Sequence, residues 1–189
     1  MAFGIIVMGA FQGGTQVLRQ ILSAIPRDFS LPITIVQHRG REIHDGLQLA
    51  LQCNCSLPVR EPEDKQPIRP GQVFLAPADY HVLVDGGRFA LSTEAPVHYS
   101  RPSIDVLFET AADAFCSGVI GVILNGANRD GAQGVARIKA LSGTVVVQDP
   151  ATAESPVMPT AAIEATTVDK VLGPAEIGAF LTQLTQTRS

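Results

Sequence analysis

The stretch Gly4-Ile5-Ile6-Val7-Met8-Gly9-Ala10-Phe11-Gln12-Gly13-Gly14-Thr15 decides the fold. An apolar run ends in glycine, and Leu18, Ile21 and Leu22 follow at helical spacing, which reads as buried strand, tight turn and helix. The same grammar recurs. Ile33 to Val36 is closed by Gln37-His38-Arg39-Gly40, and Ile43, Leu47 and Leu51 then mark a helix. Val119 to Leu124 ends at Asn125-Gly126 before a helix holding Val135 and Ile138, and Val145 to Val147 is closed by Gln148-Asp149-Pro150. Strands that are apolar at every position are buried on both sides. The pattern therefore predicts an α/β fold, a mainly parallel sheet flanked by helices on both faces. Between residues 57 and 100, Val73-Phe74-Leu75, Val82-Leu83-Val84 and Phe89-Ala90-Leu91, with a turn at Asp85-Gly86-Gly87, predict an antiparallel hairpin flap on that sheet.

The 189 residues, 46% hydrophobic and 17% charged, suffice for one core. No repeat, low-complexity stretch or linker divides them, so residues 1–189 are expected to form a single domain. A formal net charge of -4 without a basic cluster argues against nucleic acid as a partner. No run of 18 apolar residues occurs and no charged leader precedes the first strand, so no membrane insertion and a cytoplasmic location are expected. Cys53, Cys55 and Cys116 make an odd count, and the first two are too close for an easy bridge, which fits a reducing compartment. Neither a second Cys pair nor a His-x3-His follows, so no metal is expected, and no cofactor motif is present.

In open parallel sheets the functional groups gather at the carboxyl ends of the strands. There the first turn lifts one side chain, Phe11, between glycines that permit a sharp bend, the shape of a nucleophile elbow. A glycine turn before a helix also suits an anion, but a dinucleotide fingerprint would need glycine at position 11 and a P-loop would need lysine between Gly14 and Thr15. A turn required only for packing is the third reading. His38 ends the second strand and Asp130 follows the third, so the two converge on Phe11 if those strands are neighbours. A histidine oriented by a buried carboxylate is a general base near neutral pH, although a lone histidine at a strand end is more often a structural residue. His44 is expected on a helix surface and His98 in a polar loop, whereas His81, just before a flap strand, is a candidate for the cleft.

The motifs extend along the whole chain: Met8-Gly9-Ala10 with Gly13-Gly14, Val36-Gln37-His38, Pro70-Gly71-Gln72-Val73-Phe74-Leu75-Ala76-Pro77, His81, Arg101-Pro102-Ser103-Ile104-Asp105-Val106-Leu107-Phe108, Gly121-Val122-Ile123-Leu124, Asp130-Gly131-Ala132, Gln148-Asp149 and Met158-Pro159. In order and spacing the chain resembles the catalytic domain of the CheB-type chemotaxis protein-glutamate methylesterases. That resemblance implies hydrolysis of glutamate methyl esters on chemoreceptor helices, with a serine nucleophile at the place of Phe11, the general base at His38 and its orienting aspartate at Asp130. Phenylalanine has no atom that can attack a carbonyl, so acyl transfer from this position is excluded. Gln12, Asn125 and Ala127 depart from the family in the same region, Ala127 at the position whose backbone N–H serves the oxyanion. Thr15 is expected to cap its helix rather than replace the nucleophile, and Ser155 is the other hydroxyl considered. The family's receiver domain is not expected in this chain.

The resulting expectation is a catalytically impaired member that binds a protein segment in the strand-end cleft. The partner would be methylated chemoreceptor-like helices or a separate signalling protein, and the cleft residues are Phe11, Gln12, Gly13, His81, Arg101, Ala127 and Met158. The alternative is an active carboxylic-ester hydrolase in which His38 and Asp130 activate water.

Overall fold

A computed structural model describes residues 4–11, 13–38 and 46–186. In chain order the elements are β1 (Ile5–Ala10), α1 (Gly14–Ser23), β2 (Ile33–Gln37), α2 (Gly46–Gln52), β3 (Val59–Arg60), β4 (Val73–Leu75), β5 (His81–Asp85), β6 (Arg88–Ser92), α3 (Ile104–Phe115), β7 (Val119–Ile123), α4 (Ala132–Ala140), β8 (Thr144–Gln148), α5 (Val157–Ala165), β9 (Lys170–Leu172) and α6 (Pro174–Gln186). Seven strands form one sheet in the order β3-β4-β2-β1-β7-β8-β9, and every pairing in it is parallel.

Alternation along the strands explains why both faces had to be covered. On β1, Ile6, Met8 and Ala10 join a core shared with α1, α2 and α6, while Ile5 and Val7 join the opposite core with α3, α4 and α5. The same period of two on β2 sends Ile33 and Ile35 to the first core and Val36 to the second. Phe11 and His38, each an even number of positions beyond a residue of the second core, therefore emerge on the α3 side. Strand order reverses around β1, whose neighbours are β2 on one side and β7 on the other. This is the switch point where an open α/β sheet leaves a crevice.

One expectation changes. Val73–Leu75 is not part of the flap but an inner strand of the main sheet, paired on both sides, as a triplet buried at every position requires. The antiparallel hairpin β5–β6 forms a separate two-stranded sheet. It is tied to the main sheet by the rings of Phe74 and Phe89, 4.7 Å apart, and packs along α3. The helix marked by Ile43 begins, within the described residues, at Gly46; Ile43, His44 and the Arg39-Gly40 closure lie outside them.

The amino-terminal end of α3 is seated on the strand ends through Ile104. A Cβ built on Gly9 would lie 2.5 Å from Ile104 Cγ2, and one built on Gly131 would lie 2.8 Å from the same methyl. Gly131 also has φ 98°, which a side chain would strain. Ile104 is fully buried and stiff at χ1, so it cannot swing away. Gly9→Ala is expected to destabilise the protein by about 1–3 kcal/mol, the usual range for overpacking. The check is a fall in urea midpoint at unchanged m-value.

Candidate functional site

Three strand ends are joined by their backbones at the crevice. The Phe11 N–H donates to Asn125 O at 3.0 Å, and the His38 N–H donates to Ala10 O at 2.9 Å. Gly13 caps α1 with φ 81°, a left-handed bend, and the Gly14 N–H closes the turn onto Phe11 O at 2.6 Å. The Gln37 amide nitrogen donates to the carbonyls of both Phe11 and His38, each at 3.2 Å. Phe11 is thus fixed at the apex by its backbone, half-buried against the α3-side core.

Asp130 is completely buried, and its carboxylate occupies the amino-terminal end of α3. Oδ1 accepts from the Ser103 hydroxyl at 2.8 Å and the Asp105 N–H at 3.0 Å; Oδ2 accepts from the Ile104 N–H at 2.6 Å and bonds His38 Nε2 at 2.7 Å. Burial pushes this carboxyl up, but the hydrogen bond with His38 and those from the Asp105 and Ile104 N–H groups more than offset it, holding Asp130 below the ordinary carboxylate value. The helix end favours the same ionised form. Asp105 performs the corresponding task for α4, accepting from the Gly134 N–H at 2.7 Å. Burial pushes the Asp105 carboxyl up to about 6 against that hydrogen bond, with Asp130 and Glu109 adding to the rise and His98 opposing it.

Asn128 completes the constellation. Its Oδ1 accepts from the Asp130 N–H at 3.1 Å, and its Nδ2 faces His38 Nδ1 at 3.2 Å. The Phe11 ring meets the imidazole edge-on, with centroids 5.2 Å apart and planes at 64°. Both imidazole nitrogens therefore have protein partners, and the ring has an aromatic neighbour at the apex of the turn.

The structure brings together Phe11, His38 and Asp130, with Gly13 and Met158 on the same rim. A Cβ built on Gly126 would lie 2.6 Å from Met158 Cε and 3.0 Å from Phe11 Cβ, so Met158 and Phe11 both pack against Gly126. Ala127 is exposed on the adjoining loop. Gln12 lies outside the described residues. His81 differs from expectation: it is 2% exposed, Nδ1 accepts from the Ser103 N–H at 3.2 Å, and Nε2 faces Ala95 O at 3.1 Å. It stands behind the cleft, positioning Ser103. Arg101 is also committed to structure, with Nε and Nη2 on Asp79 and Nη1 on the carbonyls of Thr93 and Glu94.

Thr15 is the second residue of α1 rather than its cap, because Gly13 takes the capping position. Ser155 supplies a backbone carbonyl to the Gly126 N–H at 3.0 Å. An anion at the glycine turn is disfavoured, because a Cβ on Gly13 would meet the Glu154 carboxylate, already placed over this helix end. Among the described residues no group of three or more His, Cys, Asp or Glu is placed to hold a metal ion, and no helix is long and apolar enough to cross a membrane. Sequence reading missed Asn128, Ser103 and Gln37. The available signals were an Asn two residues before Asp130, which invites an Asx turn, and a serine at the cap position of a helix.

The family described as CheB methylesterase matches residues 6–181. A provisionally named protein-glutamate methylesterase/protein-glutamine glutaminase of Leptospira interrogans is 44% identical over 187 residues, covering 98% of this chain and 97% of its own. Protein-glutamate methylesterase/protein-glutamine glutaminase 2 of Anaeromyxobacter dehalogenans is 38% identical over 182 residues, covering 96% of this chain but 53% of its own length. The crystal structure of the Thermotoga maritima CheB methylesterase catalytic domain superposes with a TM-score of 0.92 at 32% identity, covering 97% of this chain and 100% of that one.

The Asp105 carboxyl yields a pH test. Its folded value of about 6 lies above an unfolded value of about 3.9, so the stability it contributes is complete below pH ~4 and is lost as pH rises through ~6. Asp105→Asn keeps an acceptor for the Gly134 N–H and cannot ionise. Its stability relative to the native protein is expected to rise by up to about 3 kcal/mol between pH 4 and 8, read from urea unfolding at each pH.

Proposed function

The chain belongs to the CheB methylesterase family, and we propose that within it this protein is a catalytically idle member that holds a protein segment in the strand-end cleft. The observation that carries this reading is Phe11, half-buried at the apex of the β1–α1 turn with its ring against His38. Ester hydrolysis through an acyl-enzyme requires a nucleophile at that apex. Its oxygen would attack the carbonyl carbon, pass its proton to the base, and be released by water after methanol departs. A phenyl ring supplies neither the lone pair nor the proton. His38 and Asp130 would be the base and its orienting carboxylate in such a reaction; here the imidazole is engaged by Asp130 on one nitrogen and Asn128 on the other. That double engagement also disfavours direct activation of water.

The same ring that removes the chemistry offers a contact. An aromatic side chain buries a large area against a partner at little entropic cost. Exposed Ala127 and Val157 lie next in sequence to Gly126 and Met158, and Gly126 packs against Phe11. The occupant is a protein segment of the chemoreceptor-helix kind, met in the cytoplasm.

Purified native protein and its Phe11→Ser and Phe11→Ala variants, given a carboxymethylated receptor fragment, separate the outcomes. The native protein is expected to bind the fragment without releasing methanol, and Phe11→Ala to weaken binding at least tenfold. Methanol release by the native protein that vanishes in His38→Ala would overturn the reading. Phe11→Ser is expected to stay folded, with a stability change within about 1–3 kcal/mol.

A further inference from the structure

We propose that Asn128 is a positioning residue that locks His38 in a single neutral tautomer and withholds its second ring nitrogen from proton transfer. The inference rests on the reading of the site as one without its nucleophile, and adds a second obstacle independent of Phe11.

The argument follows the direction of each hydrogen bond. The Asp130 N–H is a donor, so the atom of Asn128 that meets it at 3.1 Å must be the oxygen. This fixes the amide orientation and turns Nδ2, a donor, toward His38 Nδ1 at 3.2 Å. Nδ1 must then accept, which places the imidazole proton on Nε2. There it donates to Asp130 Oδ2 at 2.7 Å. The carboxylate does not reverse that bond by carrying the proton itself, because a ring that accepted at both nitrogens would be an imidazolate anion, and the Ser103 hydroxyl and the Ile104 and Asp105 N–H groups favour the ionised carboxylate. Every group on the path from the α3 helix end to Asn128 has one role, and the neutral imidazole satisfies all of them.

A general base must accept a proton at its free nitrogen. At Nδ1 an incoming proton would set N–H against N–H. Rotating the Asn128 amide to relieve this would turn its NH2 toward the Asp130 N–H and create the same conflict there. A donor at Nδ1 therefore requires Asn128 to move away, and replacing Phe11 alone leaves that nitrogen obstructed.

The test uses the full chain with 15N-labelled histidine. At pH 7 the native protein is expected to show a protonated Nε2 and an unprotonated Nδ1 for His38. Asn128→Asp, which offers an acceptor in place of the donor, is expected to show both nitrogens protonated. Asn128→Ala is expected to lose the single-tautomer signature, with both ring-nitrogen shifts displaced from those of the native protein. A native ring protonated on both nitrogens, or ring signals unmoved by either substitution, would overturn the assignment. In the Phe11→Ser background, adding Asn128→Ala should raise methanol release from the receptor fragment at least tenfold; equal or absent release in both would sink the lock. If the native protein itself releases methanol, the idle reading fails, while the tautomer measurement still decides the role of Asn128.

Discussion

A carboxylate with no exposure is tolerable only if its charge is met from every side, and Asp130 is the point on which this structure turns. Isolated, such a group would cost several kcal/mol to bury or would be forced to protonate. Here the end of α3 supplies two backbone N–H groups and the cap residue a hydroxyl, leaving one lone pair for His38. The helix needs an anion at that end, and the carboxylate needs donors. Each solves the other's problem, and the solution fixes β7, β2 and α3 relative to one another. Asp105 repeats the device one residue into α3, serving α4. Two successive helices are thus begun by carboxylates from each other's neighbourhood.

Much of this was legible in the sequence, for identifiable reasons. The central strands β1, β2, β7 and β8 are dominated by Val and Ile with no polar alternation, as strands covered on both faces are; their helices follow by spacing. His38 and Asp130 could be paired in advance because strand ends on one edge of a sheet converge. The reading failed where elements are too short to carry a period. β4 has three residues and β3 two, and β4 lies in a Pro/Gly-rich segment next to the hairpin, so by sequence it reads as part of the flap. Asn128 and Gln37 escaped because their roles depend on which side-chain atom faces which partner, and no spacing rule encodes that. His81 was misplaced for a similar reason: the sequence gives its strand, while burial under residues 95 and 103 comes from the tertiary fold.

The rim of the cleft has a polar cost of its own. Among the described residues, Asn125 Oδ1 and Gln37 Oε1 are buried without a hydrogen-bond partner, as is Thr34 Oγ1 further along β2. Each such oxygen forfeits on the order of 1–3 kcal/mol of solvation. Gln37 spends its amide nitrogen on two carbonyls of the turn and leaves its oxygen against Gly14, where a Cβ would approach within 2.5 Å. Geometry at the apex has been favoured over full satisfaction of these groups, which is common where a surface must present one side chain in one place.

The seating of Ile104 on Gly9 and Gly131 has a wider consequence. Because the helix end that neutralises Asp130 is wedged into the core, the His38–Asp130 pair is masonry as much as machinery. A chain of this family without a nucleophile at the β1–α1 turn would not thereby gain freedom to lose this pair, since removing the aspartate would strip the Ile104 and Asp105 N–H groups at the start of α3 of their acceptor. An intact dyad in a scaffold of this kind is therefore a record of how the walls stand up, and by itself no testimony that anything is still being cut inside them.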